Sequence, residues 1–159
     1  MVNFCVHCLA SRQSSASSVC TLKLPFKGRF DIFAHHIAKA KNRAETRTLF
    51  QGIIVHNPNS EPVTLNVLEG ATYLSRSDAL FIDLPSYLEN RLGTVFAGRG
   101  SRITSDVLRG YRQGILPAAS EIPANESRIL MNLPIPVGNV TPSSNGRSTL
   151  MRMSSSNSV

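Results

Sequence analysis

The chain has 159 residues, of which 42% are hydrophobic and 6% aromatic, with no tryptophan and a formal net charge of +7. That length supports one domain with a core large enough to fold alone. The scarcity of aromatics argues against a base-stacking surface or a Trp-rich sugar platform, and no apolar stretch approaches the roughly 20 residues that span a bilayer.

Met1–Val19 has neither the basic start nor the unbroken apolar run of a signal peptide, and Ser11–Ser18 is mostly Ser, Ala and Gln without a period. Residues 1–21 are therefore expected to be a disordered leader. Cys5, Cys8 and Cys20 all fall within it. An odd count closes no disulfide framework, and Cys5-x-x-Cys8 without a second pair lacks the four ligands of a structural zinc.

From Lys23 to Arg47 there are seven basic residues against Asp31 and Glu45. Such a patch attracts nucleic acid in principle. The RNP-type aromatic strand, zinc-finger spacing and long Lys/Arg run are missing, so a solvated face is expected instead.

Arg29–Ile37 reads either as a strand, with Phe30, Ile32, Ala34 and His36 on one face, or as a helix running into the Ala-rich segment beyond. Phe30-Asp31-Ile32-Phe33 after Gly28 favours the strand. Leu49–Val55 and Val63–Leu68 carry the clearest β pattern, and Asn57-Pro58-Asn59-Ser60 between them suits a turn. A hairpin is expected there, with a bulge at Gly70.

Ser75–Gln113 is a long excursion. It is expected to hold one helical turn at Ser86–Arg91 and a short helix capped by Ser101 and ending at Leu108, with Arg102, Asp106 and Arg109 on one face. A turn at Ile122–Glu126 precedes a strand at Ser127–Leu133, with Ile129, Met131 and Leu133 facing one way. Pro134 and Pro136 end it and mark an edge. Pro142–Gly146 reads as another turn and Ser148–Met153 as a last short strand. Residues 154–159 are a Ser/Asn tail. Five or six short antiparallel strands with Pro/Asn/Ser turns predict a mainly β, sandwich-like domain over 22–153 (Ig-like or jelly-roll-like), with strands missing or supplied by a partner.

Two groups carry candidate chemistry. Asp31, His35 and His36 have metal-ligand side chains, but on a strand Asp31 and His35 lie about 13 Å apart and the two histidines point to opposite faces. Arg99, Gly100, Ser101, Arg102 and Arg109 surround a helix start, where free amides and guanidinium groups suit a phosphate or carboxylate. The loop is not a P-loop, and Gly-x-Ser-x-Gly is absent. Asp78, Asp83 and Glu89 are not distinguished from solvated loop acids. No catalytic set and no cofactor are expected.

Gly28-Arg29-Phe30-Asp31-Ile32-Phe33-Ala34-His35-His36-Ile37-Ala38-Lys39, Gly52–Pro58, Asp106–Gly110, Asn132–Pro136 and Gly146–Arg152 together resemble a cyanobacterial family of unknown function. The resemblance covers roughly Leu22–Met153 and supplies no catalytic residue. Its members are longer on both sides and tend to begin with an export-like segment. It thus implies a periplasmic or extracellular setting and a fragment of a longer protein. The expected role is a non-catalytic structural or interaction module of the cell envelope, meeting a protein or glycan at a sheet edge. The alternative is a metal- or anion-binding enzyme module built on the two groups above.

Overall fold

The structure, a computed structural model, describes residues 2–10, 24–39, 48–76, 78–136 and 144–157. Among them are eight strands: β1 (Val2–Ala10), β2 (Leu24–Phe26), β3 (Gly28–Lys39), β4 (Thr48–His56), β5 (Val63–Leu74), β6 (Ala119–Ile122), β7 (Ser127–Pro136) and β8 (Ser144–Asn157), with helix α1 (Arg99–Leu108) between β5 and β6. They form two antiparallel four-stranded sheets, in the orders β2-β1-β4-β7 and β3-β8-β5-β6. The fold is mainly β and sandwich-like, as the turn-punctuated strand pattern predicts.

The expected hairpin does not exist. β4 pairs with β1 and β7, whereas β5 pairs with β6 and β8, so the 57–62 connection crosses from one sheet to the other. Both strands have an inward apolar face, Ile53 and Val55 on β4 and Val63, Leu65 and Val67 on β5, all buried. Placed in different sheets, the two strands turn these faces into one shared apolar core.

Asn57 makes this corner possible. It is fully buried. Its Nδ2 donates to the carbonyls of Glu61 (2.8 Å), Ile122 (3.0 Å) and Pro123 (3.1 Å), and its Oδ1 accepts from the Asn59 amide and side chain. Its backbone N–H donates to Glu126, and Asn125 returns a bond to Asn59. The 123–126 turn, which joins β6 to β7, is itself a sheet crossing. One side chain therefore ties together both corners at this end of the sandwich.

The core is apolar at this end, from Ile32, Ile53, Val55, Leu65, Met131, Met151 and Met153. A second small cluster of Ala38, Leu74 and Ile135 lies beyond. Between them runs a buried polar layer. Arg147 Nη1 donates to Thr72 Oγ1 (3.1 Å), Thr72 and Thr149 hydroxyls lie 2.8 Å apart, and Thr149 donates to Gln51 Oε1 (2.7 Å). Gln51 Nε2 points back at the Arg147 carbonyl (3.4 Å), and Arg147 also donates twice to the Pro134 carbonyl. Burial pushes the Arg147 guanidinium below the usual arginine range, with Asp78 acting in the opposite direction.

Several local expectations are corrected. Val2–Ala10, assigned to the leader, pairs with β4 from Asn3↔His56 to Ala10↔Leu49. Ser144–Gly146 and Ser154–Asn157 belong to β8, which is central in its sheet and the longest strand. The bulge in β5 falls at Leu68, between Val67 and Glu69 in the register, rather than at Gly70. Gly70 instead admits the 111–116 segment: a Cβ there would lie 2.6 Å from Leu116 Cδ1. A second irregularity, opposite Ile53/Ile54, inserts Leu130 into β7 and turns Ile129 outward, where it is 66% exposed. Pro134 and Pro136 lie within β7 and pair with Phe50 and Thr48. β7 is an edge strand, as the prolines indicate. The segment 86–91 is irregular, with a bend at Ser86 and a turn at Arg91 and no helix; Tyr87 and Leu88 are exposed, so no buried apolar face supports one. Pro142 and Cys20 lie outside the described residues.

Replacing Asn57 by Ala leaves three carbonyls without their donor and should cost about 2–4 kcal/mol of unfolding free energy in urea denaturation. A loss below about 1 kcal/mol would show that the two corners hold without it.

Candidate functional site

Helix α1 packs on the outer face of the second sheet, over β5 and β8. Ile103 and Val107 are its buried residues. Tyr73 on β5 donates its hydroxyl to Asp106 (2.7 Å), and the Arg102 guanidinium lies over the Tyr73 ring at 3.9 Å. The helix starts at Arg99, two residues before the expected cap. Gly98, at φ 138°, makes the entry turn, a conformation that favours glycine. Ser101 sits inside the first turn, where its Oγ accepts from the Ala97 amide and donates to the Gly98 carbonyl. No side chain caps the helix N-terminus.

Beside this start, the outer face of β3 is uncovered. Between them is a cleft of about 440 Å³, lined on one side by Phe33 and His35 and on the other by Gly98, Arg99, Gly100 and Ser101. Ser148 reaches it from β8 and Phe81 from the excursion. The two candidate groups, far apart in sequence, thus meet in part. Arg99 Nη2 donates to His35 Nε2 at 3.1 Å, and His35 Nδ1 lies 2.8 Å from Ser148 Oγ. His35 and Ser148 are direct cross-strand partners.

A guanidinium only donates, so Nε2 of His35 must accept and its proton sits on Nδ1. His35 therefore donates to Ser148 and cannot take that hydroxyl's proton. The pair looks like a nucleophile with its base, but Arg99 holds the opposite tautomer. Ser148 is also fully buried. Burial, then the charges of Arg99 and His36, hold His35 below the ordinary histidine range, and burial does the same to His36.

Arg99 lies flat over Gly146. A Cβ at that position would come within 2.6 Å of Arg99 Nη2 and 2.8 Å of its Cζ. Arg99 Nε is buried and has no hydrogen-bond partner.

The remaining candidates are engaged elsewhere. Asp31 forms a two-point ion pair with Arg152 (3.0 and 3.2 Å) on the outer face of β3 and β8. His36 points to the opposite face from His35, half-buried. Among the described residues no group of three or more His, Cys, Asp or Glu side chains is placed to hold a metal. Arg102 stacks on Tyr73 and Phe96 and donates to the Asp78 carbonyl. Arg109 folds back onto the carbonyls of Asn90 (3.0 Å) and Arg91 (2.9 Å). Asp78 accepts from the Leu74 amide. Cys5, His7 and Cys8 lie on β1, whose side chains are outside the described residues.

A family described as a protein of unknown function (DUF3370) matches residues 8–159. The chain belongs to that family. No curated protein and no solved structure matches it. Membership of DUF3370 assigns no activity, so the chemistry of this member is read from its own cleft. Sequence reasoning missed Ser148, Gly146, Phe33 and Phe81. The serine is one among many, and the other three matter only through tertiary placement.

His35 and His36 resist protonation in the folded chain more than in the unfolded one. The unfolded chain therefore binds protons first as pH falls below about 6.5, so the stability these groups contribute is complete above that pH and is lost as pH drops below it. Urea midpoints measured downward from neutral pH should fall through this window, and His35→Asn should flatten the slope. A midpoint unchanged across the window would contradict the assignment.

Proposed function

We propose that this DUF3370 domain is a non-catalytic interaction module that holds an anionic group in the cleft between β3 and the start of α1. One observation carries the reading: a guanidinium and the free amides of the α1 start converge there with no carboxylate among the lining residues. Arg99 Nε is buried and unpartnered at a helix N-terminus that no side chain caps. An unpaired buried donor costs about 1–3 kcal/mol, a cost that an acceptor-only ligand removes once the guanidinium turns to present Nε–H to it. The helix dipole and the backbone amides add to the attraction. The chain's net charge of +7 favours encounter with anions.

The non-catalytic part rests on the His35 tautomer and the buried Ser148, which leave the cleft without a base and nucleophile in working order. A cell-envelope setting is supported by the family resemblance alone, whose members tend to begin with an export-like segment.

Sulfate titrated into the ¹⁵N-labelled protein at low ionic strength should shift the amides of Arg99, Gly100 and Ser101 together, with the Arg99 Nε–H signal moving downfield. Arg99→Gln should weaken binding about tenfold or more. Gly146→Ala should also weaken it, by displacing the guanidinium, at little cost in stability because the group that must move is the end of a flexible side chain. Shifts spread evenly over surface lysines and arginines, with the Arg99 region silent, would refute the proposal.

A further inference from the structure

The anion-binding reading names a charge but not what carries it, and the rest of the cleft bears on that. We infer that the ligand is an organic anion with a flat apolar body, of the size of an aryl carboxylate, whose ring lies against Phe33 and Phe81 while its charged group meets Arg99. This rests on the anion-binding reading and deepens it.

The cleft is too large for a bare anion. At about 440 Å³ it falls within the roughly 300–1,000 Å³ of small-molecule sites. Charge is attracted by Arg99 and the uncapped start of α1, and Phe33, Phe81, Ala79 and Ala97 give the same cleft an apolar lining. Phe33 is 60% exposed and Phe81 83% exposed.

Neither aromatic hangs free. Phe33 is fixed by β3, and its ring lies near-parallel to that of His35, at 15° with centroids 6.3 Å apart. The next residue after Phe81, Ile82, donates its amide to the Ala97 carbonyl at 3.4 Å. The Phe81 ring lies over Gly98, where a Cβ would meet ring carbon Cδ2 at 3.6 Å. Two exposed phenyl rings, each held by its backbone, thus line the same cleft as Arg99. Aromatic faces favour offset or edge-on contact with another ring, and a planar body offers the area that an inorganic ion lacks.

The test compares three probes with the same protein: sulfate, acetate and benzoate, followed by amide shifts and by calorimetry. Benzoate should bind about tenfold or more tightly than acetate, as expected when a ring's apolar surface is removed from water. Phe81→Ser and Phe33→Ser should each lower benzoate affinity toward that of acetate while leaving acetate and sulfate unchanged. Both side chains are exposed, so neither change should disturb folding, and unaltered urea midpoints will check this. Arg99→Gln should weaken all three probes.

Benzoate and acetate binding equally, or benzoate affinity unaffected by the phenylalanine variants, would overturn the inference while sulfate binding that depends on Arg99 leaves the anion reading standing. If none of the probes engages Arg99, both fall together.

Discussion

The structure depends on a closed ring of buried hydrogen bonds that joins the two sheets. Arg147 can only donate and Gln51 Oε1 can only accept. These two ends fix the direction of every bond between them: Arg147 to Thr72, Thr72 to Thr149, Thr149 to Gln51, and Gln51 back to the Arg147 carbonyl. A one-residue slip of β8 would turn Arg147 and Thr149 outward and bring Gly146, Ser148 and Leu150 into the core. It would leave Gln51 and Thr72 buried without partners. Apolar packing between the sheets tolerates small shifts, but this ring does not. It therefore fixes the register of β8, which is also the strand that carries the cleft's Gly146 and Ser148 on its outer side.

The two faces of β8 divide the work of the domain. Inward, Met151 and Met153 fill the apolar core while Thr149 and Arg147 form the ring. Outward, Arg152 pairs with Asp31 and Ser148 with His35. Helix α1 covers the outer face over β5 and β8 and leaves β3 open. Its uncapped start comes down beside that open strand, with Arg99 resting on Gly146. The cleft thus follows from where the helix stops covering the sheet. The Asn57 corners lie at the apolar end of the sandwich, where they turn the chain between sheets without a long loop.

Much of the fold was legible because strand periodicity is local. The alternation of Phe30, Ile32 and Ala34 against Asp31, Phe33 and His35 identifies β3 correctly, and the prolines correctly mark β7 as an edge. Pairing was not legible. Leu49–Val55 and Val63–Leu68 look like a hairpin because a turn sequence joins them, yet a crossing between sheets needs the same turn residues. Only the burial of Asn57 distinguishes the two, and a single sequence does not reveal it. β1 did leave a signal: Val2, Phe4, Val6 and Cys8 alternate with Asn3, Cys5 and His7, and the serine run that follows obscured it. Ile129 was misplaced because an inserted Leu130 reverses the alternation midway along the strand. The candidate site was half legible. His35 and Arg99–Ser101 were singled out separately, but nothing local indicates that a strand and a helix start 64 residues apart share a cleft.

The contact between Arg99 and His35 links the proposed binding to protonation. Arg99 donates to Nε2, which puts the His35 proton on Nδ1, and burial together with the Arg99 charge disfavours the imidazolium. An anion seated on Arg99 partly neutralises the charge that disfavours imidazolium, and it adds a negative charge that favours it. The ligand that engages Arg99 therefore raises the proton affinity of His35, and by linkage protonation of His35 strengthens the hold on the anion. When the imidazole protonates, which in the folded chain takes a pH below the ordinary histidine range, Nε2 turns from acceptor to donor, the Arg99 contact opens, and the imidazolium becomes a second cationic donor in the cleft. The geometry that prevents His35 from acting as a base toward Ser148 thus leaves it available as a second anchor for negative charge. In the proposed function the pair thus serves binding, although it resembles catalytic machinery.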